Sequence, residues 1–424
     1  MRIYCSGIGG IGLSAYAAHM RSRGHEVFGS DRSDSALIQD LKLQGIGITL
    51  NQDGSGLPDA IDLLVYSEAI PATAPERALA TKKGIRQISY FAALGELATG
   101  KTVIAVCGTH GKSSTTAMVA KVLIDAGMNP SVVVGTKLRE LDGRNWRAGD
   151  LDLWVIEACE YRRSFLFLKP TTILITNADG DHFDAYKDLS DYESAFKEFI
   201  KKLPSDGVLI AHGGDAQVQS IIKKASRSSI DADTQPMVAL GTPGVHMRSN
   251  AQLVLALAEQ LKIKPTLTKA SLKDFRGTWR RMEVKGVTKD GVTVIDDYGH
   301  HPVEIKATLA AMREAYPNQR IVCVFQPHTH DRTLKLWDDF SKAFVDAYLV
   351  LVTDVYDARP DTTKAVANPS DLSKAIAKNS KVKTQFGGSL DQSYLALKKI
   401  LTSGDVLVCL GAGDIPKLTE KFMM

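Results

Sequence analysis

Short apolar runs alternate with longer stretches of helical spacing along the whole chain. The runs are four to seven residues long, bounded by glycine or polar clusters, and predict buried strands. They fall at 26–31, 61–67, 103–106, 153–156, 171–176, 207–211, 291–296, 320–325, 347–352 and 405–410, with a first short strand at the N-terminus. A clear helical pattern covers 192–203. Strand–helix alternation of this kind implies parallel sheets. Glycine clusters divide the chain into three blocks, 1–99, 100–283 and 284–424. The fold class expected is therefore α/β with three domains.

The run Val103-Ile-Ala-Val106 opens directly into Gly108-Thr109-His110-Gly111-Lys112-Ser113-Ser114, followed by small residues of helical character. Strand, glycine turn, lysine, hydroxyl and helix is the layout of a phosphate-binding loop. Helix N-termini attract anions, and glycine lets backbone approach phosphate closely. Lys112 is placed to offset β/γ-phosphate charge, and the Ser113 hydroxyl to ligate Mg²⁺. Two residues separate the glycines here, where the general pattern has four.

At 424 residues, with 44% hydrophobic and 24% charged residues, the composition is that of a globular protein of several domains. A net charge of +4 is small for this length and argues against a dedicated nucleic-acid binder. No apolar run is long enough to span a membrane, and no signal-peptide pattern precedes the first strand. The five cysteines form no C-x-x-C pair and sit mostly in apolar runs. They are expected to be reduced core residues of a cytoplasmic protein, with no zinc site.

Other polar groups cluster at predicted strand ends, where open α/β sheets bind ligands. The first strand runs into Gly7-Ile-Gly9-Gly10-Ile11-Gly12, and Asp31 follows 19 residues later, the usual distance for a ribose contact. Ser67 ends another strand. Glu157 and Glu160 follow a strand in the central block and are candidate Mg²⁺ ligands. Asp181 and His182 follow the next one. Lys112, Ser113, Glu157 and His182 are thus expected to face one crevice. In the third block, His300 and His301 follow Asp296-Asp297; phosphate or carboxylate contact and a capping or buried role both remain open for them. His328 and Arg332 follow a further strand, and the Arg332 guanidinium can fork onto a carboxylate or phosphate.

Taken together, these motifs resemble the Mur ligases of cell-wall precursor synthesis. The resemblance covers essentially the whole chain, in order: Gly7–Gly12, Gly108–Ser113, Glu157-Ala-Cys-Glu160, Thr176-Asn177 with Asp181-His182, Arg280-Arg281, Asp296–Pro302, Phe325–His328 and Gly411–Asp414. It implies an N-terminal Rossmann-like domain for a UDP-sugar, a central P-loop ATPase-like parallel sheet and a C-terminal Rossmann-like domain. It also implies a reaction that joins L-alanine to the carboxylate of UDP-N-acetylmuramate through an acyl phosphate, using ATP and Mg²⁺. Lys112, Glu157 and His182 match catalytic positions, and Ser113, Glu157 and His182 the metal neighbourhood. Asn250, Arg281 and Asp297 match nucleotide contacts. Gly9, Gly10, Ile11, Asp31, Ser67, His300, His328 and Arg332 are the implied substrate contacts. A monomer or homodimer is expected, with no nucleic-acid or membrane partner.

The chain departs from the family pattern at Cys159, at Tyr161-Arg162, at Met247 and at Thr329-His330. The last pair lies near the implied acceptor site, which keeps open a variant that adds another amino acid or a recycled murein peptide. Two readings of another class stand beside these. A nicotinamide-dependent oxidoreductase would use Gly7–Gly12 and Asp31 but leaves the Lys112 loop without a purpose. A non-catalytic nucleotide-binding protein would account for Cys159 and Met247.

Overall fold

The computed structural model describes residues 1–180, 185–357 and 365–424. The fold is three α/β domains, each built on one sheet. The first sheet has five parallel strands in the order Gly47–Thr49, Glu26–Ser30, Arg2–Ser6, Leu63–Tyr66, Arg86–Ser89. Strand order reverses beside Arg2–Ser6, so a crevice opens past its C-terminal end. The second sheet has seven strands: Ile230–Asp231, Val208–Ala211, Thr172–Ile175, Thr102–Cys107, Asp150–Glu157, Pro130–Leu138, Arg144–Arg147. The third has six: Glu283–Val287, Thr293–Asp297, Val406–Leu410, Ile321–Phe325, Leu349–Thr353, Lys383–Gly388.

The sheets are not wholly parallel. Arg144–Arg147 pairs antiparallel with Pro130–Leu138, and Glu283–Val287 with Thr293–Asp297. Both are edge strands, where a short return hairpin costs little loop entropy. They carry Arg144, Arg147, Glu283 and Lys285, which hides them from a search for apolar runs. The helix expected over 192–203 runs Leu189–Ile200 instead, because Asp188 caps its first turn by accepting the Asp191 N–H at 2.8 Å.

The chain divides into two compact units, residues 1–239 with 249–275, and residues 240–248 with 276–424. Within the first unit, one continuous core joins the first two sheets, from Ile3, Cys5 and Tyr16 to Trp146, Trp154 and Phe165. The helix Ile11–Ser22 lies on the strands Pro130–Leu138 and Arg144–Arg147. The Asn145 amide donates to the Ile11 carbonyl, and Arg23 to the Gly149 carbonyl. Gly95, in the helix Tyr90–Leu97, meets the Phe167 carbonyl so closely that a Cβ would lie 2.3 Å from its oxygen. The second unit has its own core of Val294, Val322, Val324, Leu351, Leu407 and Cys409. Cys5, Cys107, Cys323 and Cys409 are buried, Cys159 is half-buried, and all five are free thiols. Among the described residues no helix is long and apolar enough to cross a membrane.

His19 is wholly buried in the shared core, with Trp154 and Trp146 at ring-centroid distances of 5.0 and 6.2 Å. Burial, with some repulsion from Arg23, lowers its pKa from 6.5 to about 4. As pH falls below 6.5, the unfolded chain takes up a proton that the folded chain refuses until about pH 4. Stability is therefore lost across that window. A His19→Phe variant should lack this part of the acid sensitivity, a difference of about 2 kcal/mol between pH 7 and pH 4.5. Urea denaturation at both pH values measures it; equal losses in the two proteins would rule the effect out.

Candidate active site

The strand Thr102–Cys107 is buried on both faces and ends against the helix Lys112–Asp125, with the glycine loop between them. The neighbouring strand end fixes the shape of that loop. Asn177 accepts the His110 N–H through Oδ1 at 2.8 Å and the Thr109 N–H through its carbonyl at 3.2 Å. The Thr176 hydroxyl donates to the His110 carbonyl at 2.5 Å. Thr109 Oγ1 and the Tyr192 hydroxyl lie 2.8 Å apart. Gly108 has φ +141°, and a Cβ there would stand 2.0 Å from Thr176 Oγ1, so no other residue fits. Gly111 caps the helix at φ +80°, with the Asn250 amide against it: a Cβ on Gly111 would meet Asn250 Oδ1 at 2.8 Å.

Lys112 folds its ammonium into this loop. Nζ donates to the Gly108 and Thr109 carbonyls at 2.5 and 3.0 Å and pairs with the buried Glu160 carboxylate at 3.0 Å. Burial alone would lower the lysine's pKa. Attraction to Glu160, with smaller contributions from Cys159 and Glu157, outweighs burial, so the net direction is upward and the ammonium stays charged. Burial and Glu160 together push the Cys159 thiol up to about 12, which makes it an inert neighbour.

Ser113 Oγ donates to Glu157 Oε1 at 3.0 Å, and Glu157 Oε2 accepts the Gly135 N–H at 2.6 Å. A hydroxyl and a carboxylate side by side form an oxygen donor set that suits Mg²⁺. The two carboxylates after the strand Asp150–Glu157 thus have different partners: Glu157 faces Ser113, and Glu160 faces Lys112. His182, the third metal position implied by the sequence, lies outside the described residues, as does Asp181. Ser114 is buried in the first turn of the helix. Arg162 and Arg163 adopt left-handed backbone, φ +50° and +59°. Arg163 is anchored by Asp191, Ser194 and Glu198 at 2.7 to 2.8 Å. The strain they carry adjoins the loop that Glu160 completes.

On the first sheet, the glycine turn meets Ser67 across the crevice, 3.1 Å from where a Gly7 Cβ would stand. Gly10 is the N-cap of the helix that starts at Ile11. Asp31 Oδ2 accepts the Gly9 N–H at 2.9 Å, and Oδ1 accepts the Ser33 N–H at 3.2 Å, so its carboxylate braces the loop.

In the second unit, Asp297 is buried and accepts the Met282 and Gly299 N–H groups, each at 2.7 Å. It thereby holds the turn in which Arg280 and Met282 have φ +55° and +49°. Burial raises its pKa although Arg281 pulls the other way. Arg281 sits 3.4 Å from Glu304 and over the Tyr298 ring. His301 caps the helix Pro302–Ala315, and Glu304 accepts its N–H at 3.3 Å, which is the capping reading. His300 instead faces His328, ring centroids 5.6 Å apart. His328 stacks on Tyr356 at 5.9 Å and meets Arg332 at 3.2 Å. The structure thus gathers His300, His328 and Arg332 at one sheet edge. Tyr356 is an addition to the sites that the sequence motifs marked, and Glu160, marked there as a candidate Mg²⁺ ligand, pairs instead with Lys112. Nothing in the pattern around Tyr356 signals its place, whereas the Glu157–Glu160 spacing does mark Glu160.

Three family models match the chain: the Mur ligase family catalytic domain over residues 2–102, the Mur ligase middle domain over 106–235, and the Mur ligase glutamate ligase domain over 280–413. A UDP-N-acetylmuramate–L-alanine ligase from Clostridium acetobutylicum is 39% identical over 451 aligned positions, covering 100% of this chain and 97% of its own length. The solved UDP-N-acetylmuramate–alanine ligase of Thermotoga maritima superposes with a TM-score of 0.83 at 28% identity, covering 100% of this chain and 98% of that one. A murein peptide ligase from Psychrobacter arcticus shares the fold, with TM-score 0.73 at 23% identity and coverage of 100% and 98%. End-to-end identity at this level, over the same loops that shape the site, makes the chain a member of the Mur ligase family.

Proposed function

We propose that this protein is an ATP-dependent ligase that joins L-alanine to the carboxylate of UDP-N-acetylmuramate in peptidoglycan precursor synthesis. The observation that carries this reading is the convergence of Lys112, Ser113 and Glu157 on one phosphate loop, in a chain that aligns end to end with an L-alanine ligase. In this reading residues 1–99 hold the sugar nucleotide, residues 100–283 hold ATP, and residues 284–424 form the closing domain. On this reading the enzyme works in the cytoplasm.

The first step brings together two anions, a carboxylate and a triphosphate, so cationic groups must offset their repulsion. Lys112, kept charged by Glu160, offers its ammonium to the β- and γ-phosphates. The loop N–H groups and the N-terminus of Lys112–Asp125 add backbone dipole. Ser113 and Glu157 would hold Mg²⁺, with His182 as a further ligand; bound there, the ion supplies Lewis-acid neutralisation of phosphate charge. A carboxylate oxygen attacks the γ-phosphorus, the bond to the bridging oxygen breaks, and ADP leaves. The amine of the amino acid then attacks the acyl carbon. The C–O bond to phosphate breaks, inorganic phosphate leaves, and the neutral amine gives up one proton to the departing phosphate or to solvent, keeping the other as the amide N–H. Positioning both partners on one protein replaces a costly encounter with an intramolecular step. Asp31, Ser67 and the Gly9–Ile11 turn are assigned to the sugar nucleotide. His300, His328 and Arg332 are assigned to the acceptor, whose carboxylate suits the Arg332 fork.

Two outcomes test this. Lys112→Ala should cut ADP formation by at least about a hundredfold, the scale for removing a charge-stabilising group; turnover at the unmodified rate would refute the assignment. Incubation with ATP, Mg²⁺, UDP-N-acetylmuramate and an equimolar mixture of amino acids should yield the L-alanyl product by mass. A product carrying another amino acid would move the acceptor assignment to a relative's specificity, and no amide product at all would refute the ligase reading.

A further inference from the structure

A second polar constellation lies at the far side of the seven-stranded sheet. His212 follows the strand Val208–Ala211 at its C-terminal end and is almost wholly buried. Its Nδ1 lies 2.6 Å from Asp233 Oδ1, and its Nε2 lies 3.1 Å from the Ser249 hydroxyl. Asp233 Oδ2 accepts the Gly214 N–H at 2.8 Å, which fixes the carboxylate. A carboxylate at Nδ1 sets the tautomer: the proton sits on Nδ1, and Nε2 accepts from Ser249.

Serine, histidine and aspartate in this order are the parts of a nucleophilic triad. Among the described residues no oxyanion hole accompanies them. Ser249 lies inside the helix Val245–Gln260, where backbone N–H groups serve the helix itself, and the Gly213 and Gly214 N–H groups are taken by Asp231 and Asp233. The chain of bonds must therefore do something other than cleave.

Its end point gives the answer. Ser249 is followed by Asn250, a residue only 8% exposed. Its side-chain amide lies directly over Gly111, the glycine that starts the Lys112 helix. A side-chain amide laid on a phosphate loop can meet a ligand's donor or acceptor. A second link holds the same helix to the same segment: Gln252 donates to the Gln235 carbonyl at 2.6 Å.

We propose that Asp233, His212 and Ser249 form a positioning relay that fixes the helix carrying Asn250, and so holds the Asn250 amide over the phosphate loop for the nucleotide. The proposal rests on the ATP site assigned above. Asp233 sets the imidazole, the imidazole holds the hydroxyl, and the hydroxyl sets the rotation of the helix. None of the three touches nucleotide.

The test compares Ser249→Ala, Ser249→Thr and Asp233→Ala with the unmodified full chain, reading KM for ATP, KM for UDP-N-acetylmuramate and the melting temperature. Ser249→Ala and Asp233→Ala should each raise KM for ATP about fivefold, the scale of one hydrogen bond, and leave KM for the sugar nucleotide unmoved. Ser249→Thr, which keeps a hydroxyl, should restore most of the loss. Equal rises in both KM values, or no rise in either, would overturn the relay. So would labelling of Ser249 by a fluorophosphonate, which requires an activated nucleophile. Lys112→Ala in the same assay separates the two levels. If it retains ATP turnover, the underlying site assignment fails; if it loses turnover while Ser249→Ala behaves as unmodified protein, only the relay fails.

Discussion

The phosphate loop keeps its shape because the end of an adjacent strand holds it from behind. Thr176 and Asn177 satisfy the polar backbone of Thr109 and His110, and leave no room for a side chain at Gly108. A loop so braced presents its remaining N–H groups outward without needing a ligand to organise them. Every other feature of the site is fastened to that frame. Glu160 pins the Lys112 ammonium, Gly135 aims Glu157 at Ser113, and Asn250 lies across Gly111. Preorganisation of this kind is what makes charge stabilisation effective, since dipoles already in place need no reorganisation during reaction.

Several groups that carry catalytic-looking chemistry are employed on the protein itself. Asp31 braces the Gly9 turn, and Asp297 holds the turn of Arg280 and Met282. His301 caps a helix while its neighbour His300 faces His328. Carboxylates at these places stabilise strained or glycine-rich backbone next to the ligand edge. They can therefore shape a site as much as they contact what enters it.

The parts of this architecture legible in the sequence are those with local physical signatures. The buried central strands are short apolar runs, and the glycine–lysine–hydroxyl series marks the loop at Gly108–Ser113. The edge strands Arg144–Arg147 and Glu283–Val287 escaped because one face meets water and the charges break the pattern. The division of labour between Glu157 and Glu160 was equally hidden. It depends on the left-handed turn at Arg162 and Arg163 and on Gly135, a residue from another strand. The link from Asp233 through His212 to Ser249 joins positions far apart in the chain, and none of its members stands in a recognisable motif.

The core shared by the first two sheets has a consequence for how such proteins can be rearranged. Ile11–Ser22 buries one face on strands of the neighbouring domain, and Gly95 admits the Phe167 backbone at contact distance. An N-terminal domain transplanted from another member would bring a helix face shaped for a different partner. Recombination among such enzymes should therefore succeed when both modules travel as a single block, and chimaeras joined near residue 100 should require compensating changes along that seam.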